Sequence, residues 1–262
     1  MCKIVLTVPP FGITLREVRQ KIPAIGSVMM LTEANYTVYL YPSPNTLKVI
    51  ICLEELGLDY KTQLIDIAAG DQLSPEFAAL NPNRKVPVLR AGDLVLFESA
   101  AILEYLAERH SGLLSGQCAT RWQSKSWLYW SASTFGPMAG QAHHFRCFAP
   151  EYVPYAVRRY SQEMNRLYGI LEERLERCEW MCGDYSIVDI ALWPWVRHYE
   201  WQGQDLEEFP ATARWSTSMG QRPAVRHAVD RYPIQLIAPD QYGVLLNQTA
   251  ASLHKPSLEQ EE

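Results

Sequence analysis

The spacing of apolar residues changes near residue 112, and this change restricts the chain to a fold with two differently built parts. Before it, short β-prone runs alternate with segments of helical period, and Gly and Pro separate them. After it, apolar residues recur every three or four positions between charged residues, which is typical of amphipathic helices. The sequence therefore predicts a small α/β domain followed by an all-helical domain.

The α/β part is predicted to run strand, helix, strand, helix, hairpin and helix, which is the size of one small domain. Pro and Asn favour the helix starts, and a glycine ends the first helix. The predicted strands are Val38–Tyr41 and Tyr60–Ile67, the helices are Thr46–Leu56, Ser74–Leu80 and Ser99–Arg109, and the hairpin joins Val86–Leu89 to Leu94–Phe97.

The helical part shows its clearest period from Tyr160 to Leu175, where apolar residues are spaced by three or four positions. A further helix is predicted to begin at Ser186–Asp189, a capping box in which the serine hydroxyl and the aspartate carboxylate satisfy free backbone amides. We interpret this motif as structural. Packing in the core or at an interface is expected for most of the tryptophans at positions 122, 127, 130, 193 and 195, and the alternative is a place in the wall of an acceptor site.

Four segments follow from these patterns. The N-terminal extension is mixed in polarity and lacks clear capping, so it is either a flexible segment, a short docking helix or, through Met29 and Met30, an alternative start. The segments are the extension at residues 1–35, the α/β domain at 36–112, the helical domain at 119–232 and a C-terminal arm at 233–262.

Composition excludes several classes of protein. A net charge of −5 provides no basic field for binding nucleic acid through its phosphates. No apolar run approaches the roughly 20 residues that a membrane-spanning helix needs. Six scattered cysteines do not resemble a disulfide framework and favour a reducing compartment. We therefore predict a cytoplasmic protein that binds neither nucleic acid nor membrane.

Two motifs in the α/β part, Asn81–Pro87 (NPNRKVP) and Phe97–Ile102 (FESAAI), have the order and spacing found in the glutathione S-transferase superfamily. The chain resembles that superfamily. More narrowly, Ser43–Asn45 (SPN) and Gly136–Phe145 (GPMAGQAHHF) resemble the bacterial nu-class enzymes and their fungal prion-protein-like relatives.

The resemblance covers about residues 36–232. It implies a thioredoxin-like, glutathione-binding N-terminal domain followed by an all-α C-terminal domain, the glutathione transferase fold. It also implies a homodimer and a disulfide-bond reductase that uses glutathione, reduced or oxidised, as its cosubstrate.

The family's ligand contacts fall on two short stretches of this sequence. The residue before the hairpin proline presents its backbone to the cysteinyl part of glutathione, which implies a cis Val86-Pro87 bond. The resemblance also implies that Ser99 and nearby free amides bind the ligand's α-carboxylate while Glu98 faces its ammonium group. The alternative is that Ser99 only caps a helix and Glu98 only favours its N-terminal end.

Three further residues resemble family positions that contact carboxylates. Gln72 and Lys85 correspond to positions near the glycyl carboxylate, and Arg159 to an arginine at the carboxylates of glutathione. A guanidinium suits a planar carboxylate. The alternatives are a surface lysine beside a turn and a solvated charge on an amphipathic helix.

Chemistry with glutathione requires a stabilised thiolate, because an ordinary thiol has a pKa of about 8.5. Asn45 is the predicted catalytic residue and Ser43 its assistant, since both offer donors at a helix start and hydrogen bonds to an anion lower its pKa. The alternative is a simple helix start, which Ser, Pro and Asn all favour. The turn holds no cysteine, so the reacting sulfur has to come from the ligand.

No metal site is predicted. His143 and His144 are adjacent, so on a helix they point about 100° apart and chelate one ion poorly. We expect them, with Gln141, to line an acceptor site or an interface. Cys178 and Cys182 have the spacing of one helical face, but no neighbours complete a zinc site.

Three functions are consistent with this sequence. The preferred one is a glutathione-dependent disulfide reductase whose chemistry extends to organic hydroperoxides. The second is a transferase that conjugates electrophiles, although no tyrosine activator follows the first strand. The third is a non-catalytic interaction protein with the same fold, against which the retained Asn45, Glu98 and Ser99 argue.

Overall fold

The computed structural model describes residues 36–234. The predicted N-terminal extension and all but the first two residues of the predicted C-terminal arm lie outside the described residues. From residue 36 onward a four-stranded sheet with its helices precedes a series of helices, which confirms the predicted fold class. No helix in this part of the chain is both long and apolar enough to cross a membrane.

The sheet has the strand order β2-β1-β3-β4. β1 and β2 are parallel, whereas β3 is antiparallel to both β1 and β4, as a crossover helix and a hairpin require. The strands are β1 (Tyr36–Leu40), β2 (Tyr60–Leu64), β3 (Val88–Ala91) and β4 (Leu94–Phe97).

β2 ends at Leu64, three residues before the predicted end at Ile67. The carboxylate of Asp66 accepts hydrogen bonds from the backbone amides of Ala68, at 2.9 Å, and Ala69, at 3.2 Å. These local bonds turn the chain away from the sheet, because an aspartate side chain competes with the ladder for backbone donors.

The helices of the α/β part are α1 (Pro44–Glu55), α2 (Pro75–Leu80) and α3 (Ser99–Arg109). Both predicted ends of α3 are confirmed. α1 begins two residues before its predicted start, because Ser43 is its N-cap and proline suits the first helical position, where no amide hydrogen is needed.

The helical part contains α4 (Cys118–Trp130), α5 (Gly136–His143), α6 (Pro154–Leu175), α7 (Ile187–Val196), α8 (Pro210–Gln221) and α9 (Pro223–Arg231). Two π-helical segments, Ser131–Phe135 and His144–Phe148, flank α5 and make the backbone helical from 118 to 148. Such segments are frequent at functional sites.

The prediction that Cys178 and Cys182 share a helical face is wrong. α6 ends at Leu175, and the following turn pairs Trp180 with Gly183 and Cys182 with Asp184 across its backbone.

α7 is buried along its entire length and lies at the centre of the helical part. The predicted capping box at its start is confirmed: the Asp189 carboxylate accepts hydrogen bonds from the backbone amide and hydroxyl of Ser186, at 3.0 and 3.1 Å. It also accepts from the amide of Met181 and the indole of Trp215, each at 2.9 Å. Burial raises the pKa of Asp189, and these donated hydrogen bonds oppose the shift.

α1 is fixed against the helical part as well as against a helix of its own domain, because it packs on α3, α7 and α9. At its C-terminal end, Arg222 donates to both carboxylate oxygens of Glu55, at 2.6 and 2.8 Å, and the Tyr185 hydroxyl donates to the same group at 3.0 Å. The guanidinium of Arg222 lies 3.6 Å from the ring centre of Tyr185. These contacts tie the C-terminal end of α1 to the helical part.

We predict that Asp189→Ala lowers the free energy of unfolding by about 3 kcal/mol or more, because several buried donors lose their acceptor together. Urea unfolding monitored by tryptophan fluorescence measures this loss. The matched control is Asp205→Ala, which removes an exposed carboxylate that accepts from the Glu207 amide at 3.0 Å and should cost only about 1 kcal/mol. Equal losses in the two variants would contradict the central role of Asp189.

Candidate functional site

A cavity of about 550 Å³ opens where the α/β part meets the helical part. The N-terminal turn of α1, the loop before β3 and the start of α3 form one side, and residues 131–144 with Trp195 form the other. The cavity therefore exists only where both parts are folded together. The predicted site residues that line it are Asn45, Lys85, Val86, Pro87, Glu98, Ser99, Gln141 and His144.

Four predicted site residues do not line this cavity. Gln72 is buried, and its side-chain nitrogen donates to a backbone carbonyl. His143 is buried too, which lowers its pKa to about 4. Arg159 is exposed on α6, 3.9 Å from Glu163. Ser43 turns its side chain toward α1.

The N-terminal turn of α1 holds Ser43 and Asn45 in different ways. The Ser43 hydroxyl accepts from the Thr46 amide at 3.3 Å and donates to the Thr46 hydroxyl at 3.1 Å, so it caps the helix. The side-chain oxygen of Asn45 accepts a hydrogen bond from the indole of Trp195 at 3.3 Å. Asn45 is thus tied across the cavity to the helical part.

The loop before β3 is organised by the buried side chain of Asn81. Its nitrogen donates to the carbonyl of Lys85 at 2.7 Å, and its oxygen accepts from the amide of Asn83 at 2.9 Å. This double contact fixes the backbone that leads to Val86. The Val86-Pro87 bond is cis, as predicted.

The junction of β4 and α3 places Glu98 and Ser99 on the same side of the cavity as the N-terminal turn of α1. Glu98 has a φ of +71°, a conformation that non-glycine residues rarely adopt and that is found where a side chain is held for function. Ser99 is buried and begins α3, so the free amides of the first turn lie beside it. A carboxylate and a helix N-terminus therefore face the same cavity.

Lys48 is a cavity residue that the sequence analysis missed. This residue is only 2% exposed, and among residues 36–234 it has no hydrogen-bond or ion-pair partner. Burial lowers the pKa of Lys48 to about 7, against the influence of the Glu98 carboxylate. The available signal was its spacing, because it follows Asn45 by three residues and so shares its helix face.

The wall opposite α1 is built around Trp195, one of the tryptophans for which the sequence favoured packing and left a site wall as the alternative. A Cβ added at Gly136 would lie 3.1 Å from its indole nitrogen, and one at Gly140 would lie 3.6 Å from the ring. The two glycines thus leave room for the indole close to α5. Ser131 and Gln141 extend this wall and line the same cavity.

Comparison with protein families gives two matches. Residues 42–109 match the glutathione S-transferase N-terminal domain family, and residues 135–223 match the glutathione S-transferase C-terminal domain family.

The chain is 43% identical over 199 residues to the Escherichia coli disulfide-bond oxidoreductase YfcG, a match that covers 73% of this chain and 93% of that protein. A Pseudomonas putida glutathione transferase, solved with one glutathione disulfide per subunit, is 39% identical with a TM-score of 0.72 and covers 75% of this chain and 91% of its own. A Burkholderia graminis glutathione transferase, solved with two glutathione molecules per subunit, is 38% identical with a TM-score of 0.72. That match covers 77% of this chain and 90% of the other.

We predict that Lys48→Met raises the thermal midpoint of the ligand-free protein, because it removes an unpartnered buried charge. Folding lowers the pKa of Lys48 to about 7. The buried ammonium therefore destabilises the fold fully below about pH 7, and this destabilisation fades as the pH rises toward the ordinary lysine pKa of about 10.4. The gain should therefore be larger near pH 6 than near pH 9. Differential scanning fluorimetry at both values measures it.

The control for this experiment is Lys61→Met, which removes an exposed lysine on β2 and should leave the midpoint nearly unchanged. A lower midpoint for Lys48→Met at both pH values would contradict the prediction.

Proposed function

Because this chain belongs to the glutathione S-transferase superfamily, we propose that it is a glutathione-dependent disulfide-bond reductase in which a bound glutathione thiolate reacts. One observation carries the proposal: a single cavity brings together the Asn45 amide, Val86 beside a cis proline, and the Glu98-Ser99 pair. In the described part of the chain, no cysteine lines that cavity.

The edge formed by Glu98 and Ser99 suits the α-amino acid end of glutathione. The Glu98 carboxylate pairs with the ammonium group, and Ser99 with the free amides of α3 receives the α-carboxylate. We assign the cysteinyl part to the backbone of Val86 and the glycyl carboxylate to Lys85. This orientation directs the ligand's thiol toward the N-terminus of α1.

The thiolate is stabilised by charges and donors at the start of α1. The Asn45 side-chain nitrogen donates a hydrogen bond, and Lys48 supplies a positive charge on the same helix face. Both favour the ionised form and lower the thiol pKa. An anion beside Lys48 also favours the protonated lysine, so the ligand and the ammonium stabilise each other.

The reaction requires two glutathione molecules. The first thiolate attacks one sulfur of the substrate disulfide, which forms a mixed disulfide and releases one substrate thiolate. The second thiolate attacks the glutathione sulfur of that mixed disulfide, releases the other substrate thiolate and forms oxidised glutathione. Water protonates the released thiolates, and two electrons pass to the substrate. The two glutathione molecules in the similar Burkholderia graminis protein support this scheme.

The same thiolate is suited to organic hydroperoxides. Attack on the peroxide oxygen gives a glutathione sulfenic acid and an alcohol, and a second glutathione then forms the disulfide with loss of water.

The other predicted residues have weaker support. The Ser43 hydroxyl already donates to Thr46, so we assign it to capping α1 rather than to the thiolate. Contacts of Gln72 and Arg159 with glutathione stay predictions, because neither residue lines the cavity.

The homodimer and the cytoplasmic location also stay predictions. The predicted dimer is supported by exposed apolar side chains on β4 and α4, which are Leu94, Phe97, Trp122 and Tyr129.

We predict that Asn45→Ala lowers glutathione-dependent reduction of 2-hydroxyethyl disulfide by about ten- to hundredfold, the usual cost of losing one hydrogen bond to an anion. Ser43→Ala is the matched control from the same turn. It should lower the free energy of unfolding by about 1 kcal/mol through loss of the cap and leave the rate close to that of the wild type. Equal rates for Asn45→Ala and the wild type would contradict the role of Asn45.

Parallel assays separate the competing functions. Reduction of cumene hydroperoxide tests the peroxidase reaction, and conjugation of a chloronitrobenzene tests the transferase. A wild type that conjugates but does not reduce disulfides would replace the proposal with a transferase. A wild type that does not bind glutathione would favour the non-catalytic interaction protein.

We further predict that Glu98→Gln raises the KM for glutathione by about tenfold or more and changes kcat little, because its ion pair is equally strong before and during the reaction. Glutathione lacking its α-ammonium group should bind equally well to the variant and the wild type. Asp93→Asn, in the exposed β3–β4 turn, is the control and should not alter KM. Equal discrimination against the analogue by wild type and Glu98→Gln would refute the assignment.

A further inference from the structure

We propose that Trp195 is a positioning residue for the reaction: its indole N–H holds the side-chain oxygen of Asn45, so that the amide nitrogen of Asn45 faces the cavity and donates to the thiolate. The inference rests on the proposed function. It adds a residue of the helical part to the machinery that ionises the ligand's thiol.

The argument begins with the chemistry of the two side chains. An asparagine amide carries an acceptor at one end and two donors at the other, and half a turn of its terminal torsion exchanges them. An indole N–H only donates. The atom of Asn45 that lies 3.3 Å from the indole nitrogen of Trp195 is therefore its oxygen. Among residues 36–234 the Asn45 side chain has no other hydrogen bond.

The choice of orientation matters for an anionic ligand. With its oxygen bonded to Trp195, Asn45 presents its NH₂ group to the cavity, which stabilises a thiolate. The reversed amide would present a carbonyl oxygen to the same thiolate and repel it. Because Trp195 imposes the favourable orientation before the ligand arrives, the donor does not have to reorganise during the reaction.

The indole itself is held in place on several sides. Its nitrogen lies 3.1 Å from the position that a Cβ on Gly136 would take, so any larger residue there would push the indole by a few tenths of an ångström. The ring of His143 packs beside it, with 5.4 Å between ring centres. The backbone carbonyl of Trp195 accepts from the buried Gln202 at 2.7 Å, and Gln202 in turn accepts from the Tyr168 hydroxyl at 2.9 Å.

The test compares Trp195→Phe with Trp193→Phe. Both tryptophans are on α7 and almost fully buried, and each loses one hydrogen bond when changed to phenylalanine, but Trp193 donates to the Ser216 carbonyl at 3.0 Å and does not line the cavity. The pKa of bound glutathione is read from the ultraviolet absorbance of its thiolate. We expect Trp195→Phe to raise it by about half a unit to one unit and to lower kcat/KM near pH 7 by about three- to tenfold.

Activity of Trp195→Phe should recover at higher pH, where the thiol ionises without help, while Trp193→Phe should keep the wild-type profile. An equal loss of activity in both variants, with an unchanged thiol pKa, would overturn the inference. Gly136→Ala offers a second route if Trp195→Phe folds poorly, because the added methyl displaces the indole nitrogen and should raise the thiol pKa in the same way.

A double-mutant cycle shows whether Trp195 acts through Asn45. In the Asn45→Ala background, Trp195→Phe should change the thiol pKa no further. A full additional shift in that background would mean that Trp195 contacts the ligand independently, and would overturn the inference. Failure of wild type to bind glutathione in calorimetry would overturn the proposed function, whereas normal binding with an unaltered thiol pKa in Trp195→Phe would overturn only the inference.

Discussion

Helix α7 is enclosed by protein along its whole length, so each polar group that it carries has to be paired inside the molecule. Near its start, Asp189 accepts hydrogen bonds from backbone and side-chain donors. Further along, Trp193 donates to the carbonyl of Ser216, and Trp195 donates to Asn45. The need to pair these buried polar groups therefore both anchors α7 and places Trp195 in the cavity wall. A less completely buried helix could leave its indole groups to water and would not need a partner in the α/β part.

The site also depends on α1 being tied to the helical part at both of its ends. Glu55 is paired with Arg222 at the C-terminal end, and Asn45 is bonded to Trp195 at the N-terminal end. A helix fixed at two distant points cannot slide or rotate without breaking one of them. The donors at its start therefore keep a defined distance from Glu98, which lies at the junction of β4 and α3.

The sequence predicted elements where local signals decide the structure, and it failed where distant contacts do. Both ends of α3 were predicted correctly. Its start is marked locally, by a strand followed by an acidic residue and a serine. Local hydrogen bonds at Asp66 ended β2 early, which an apolar pattern does not reveal. The family resemblance predicted that Glu98 and Val86 contact one ligand, and both line the cavity. The burial of Lys48 could not be predicted, because it depends on neighbours from other elements. Nothing in the sequence connects Trp195 with Asn45, 150 positions away.

Two features at the cavity are unfavourable, the unpartnered charge of Lys48 and the positive φ of Glu98. An anion bound beside Lys48 compensates the first of them, and any ligand that binds only the folded chain stabilises it by RT ln(1 + [L]/Kd). Folding and ligand supply are therefore linked. With glutathione as the ligand, a cell short of reduced thiols would hold less of this protein in its folded form, and proteases would shorten its lifetime as the substrate for its chemistry disappeared.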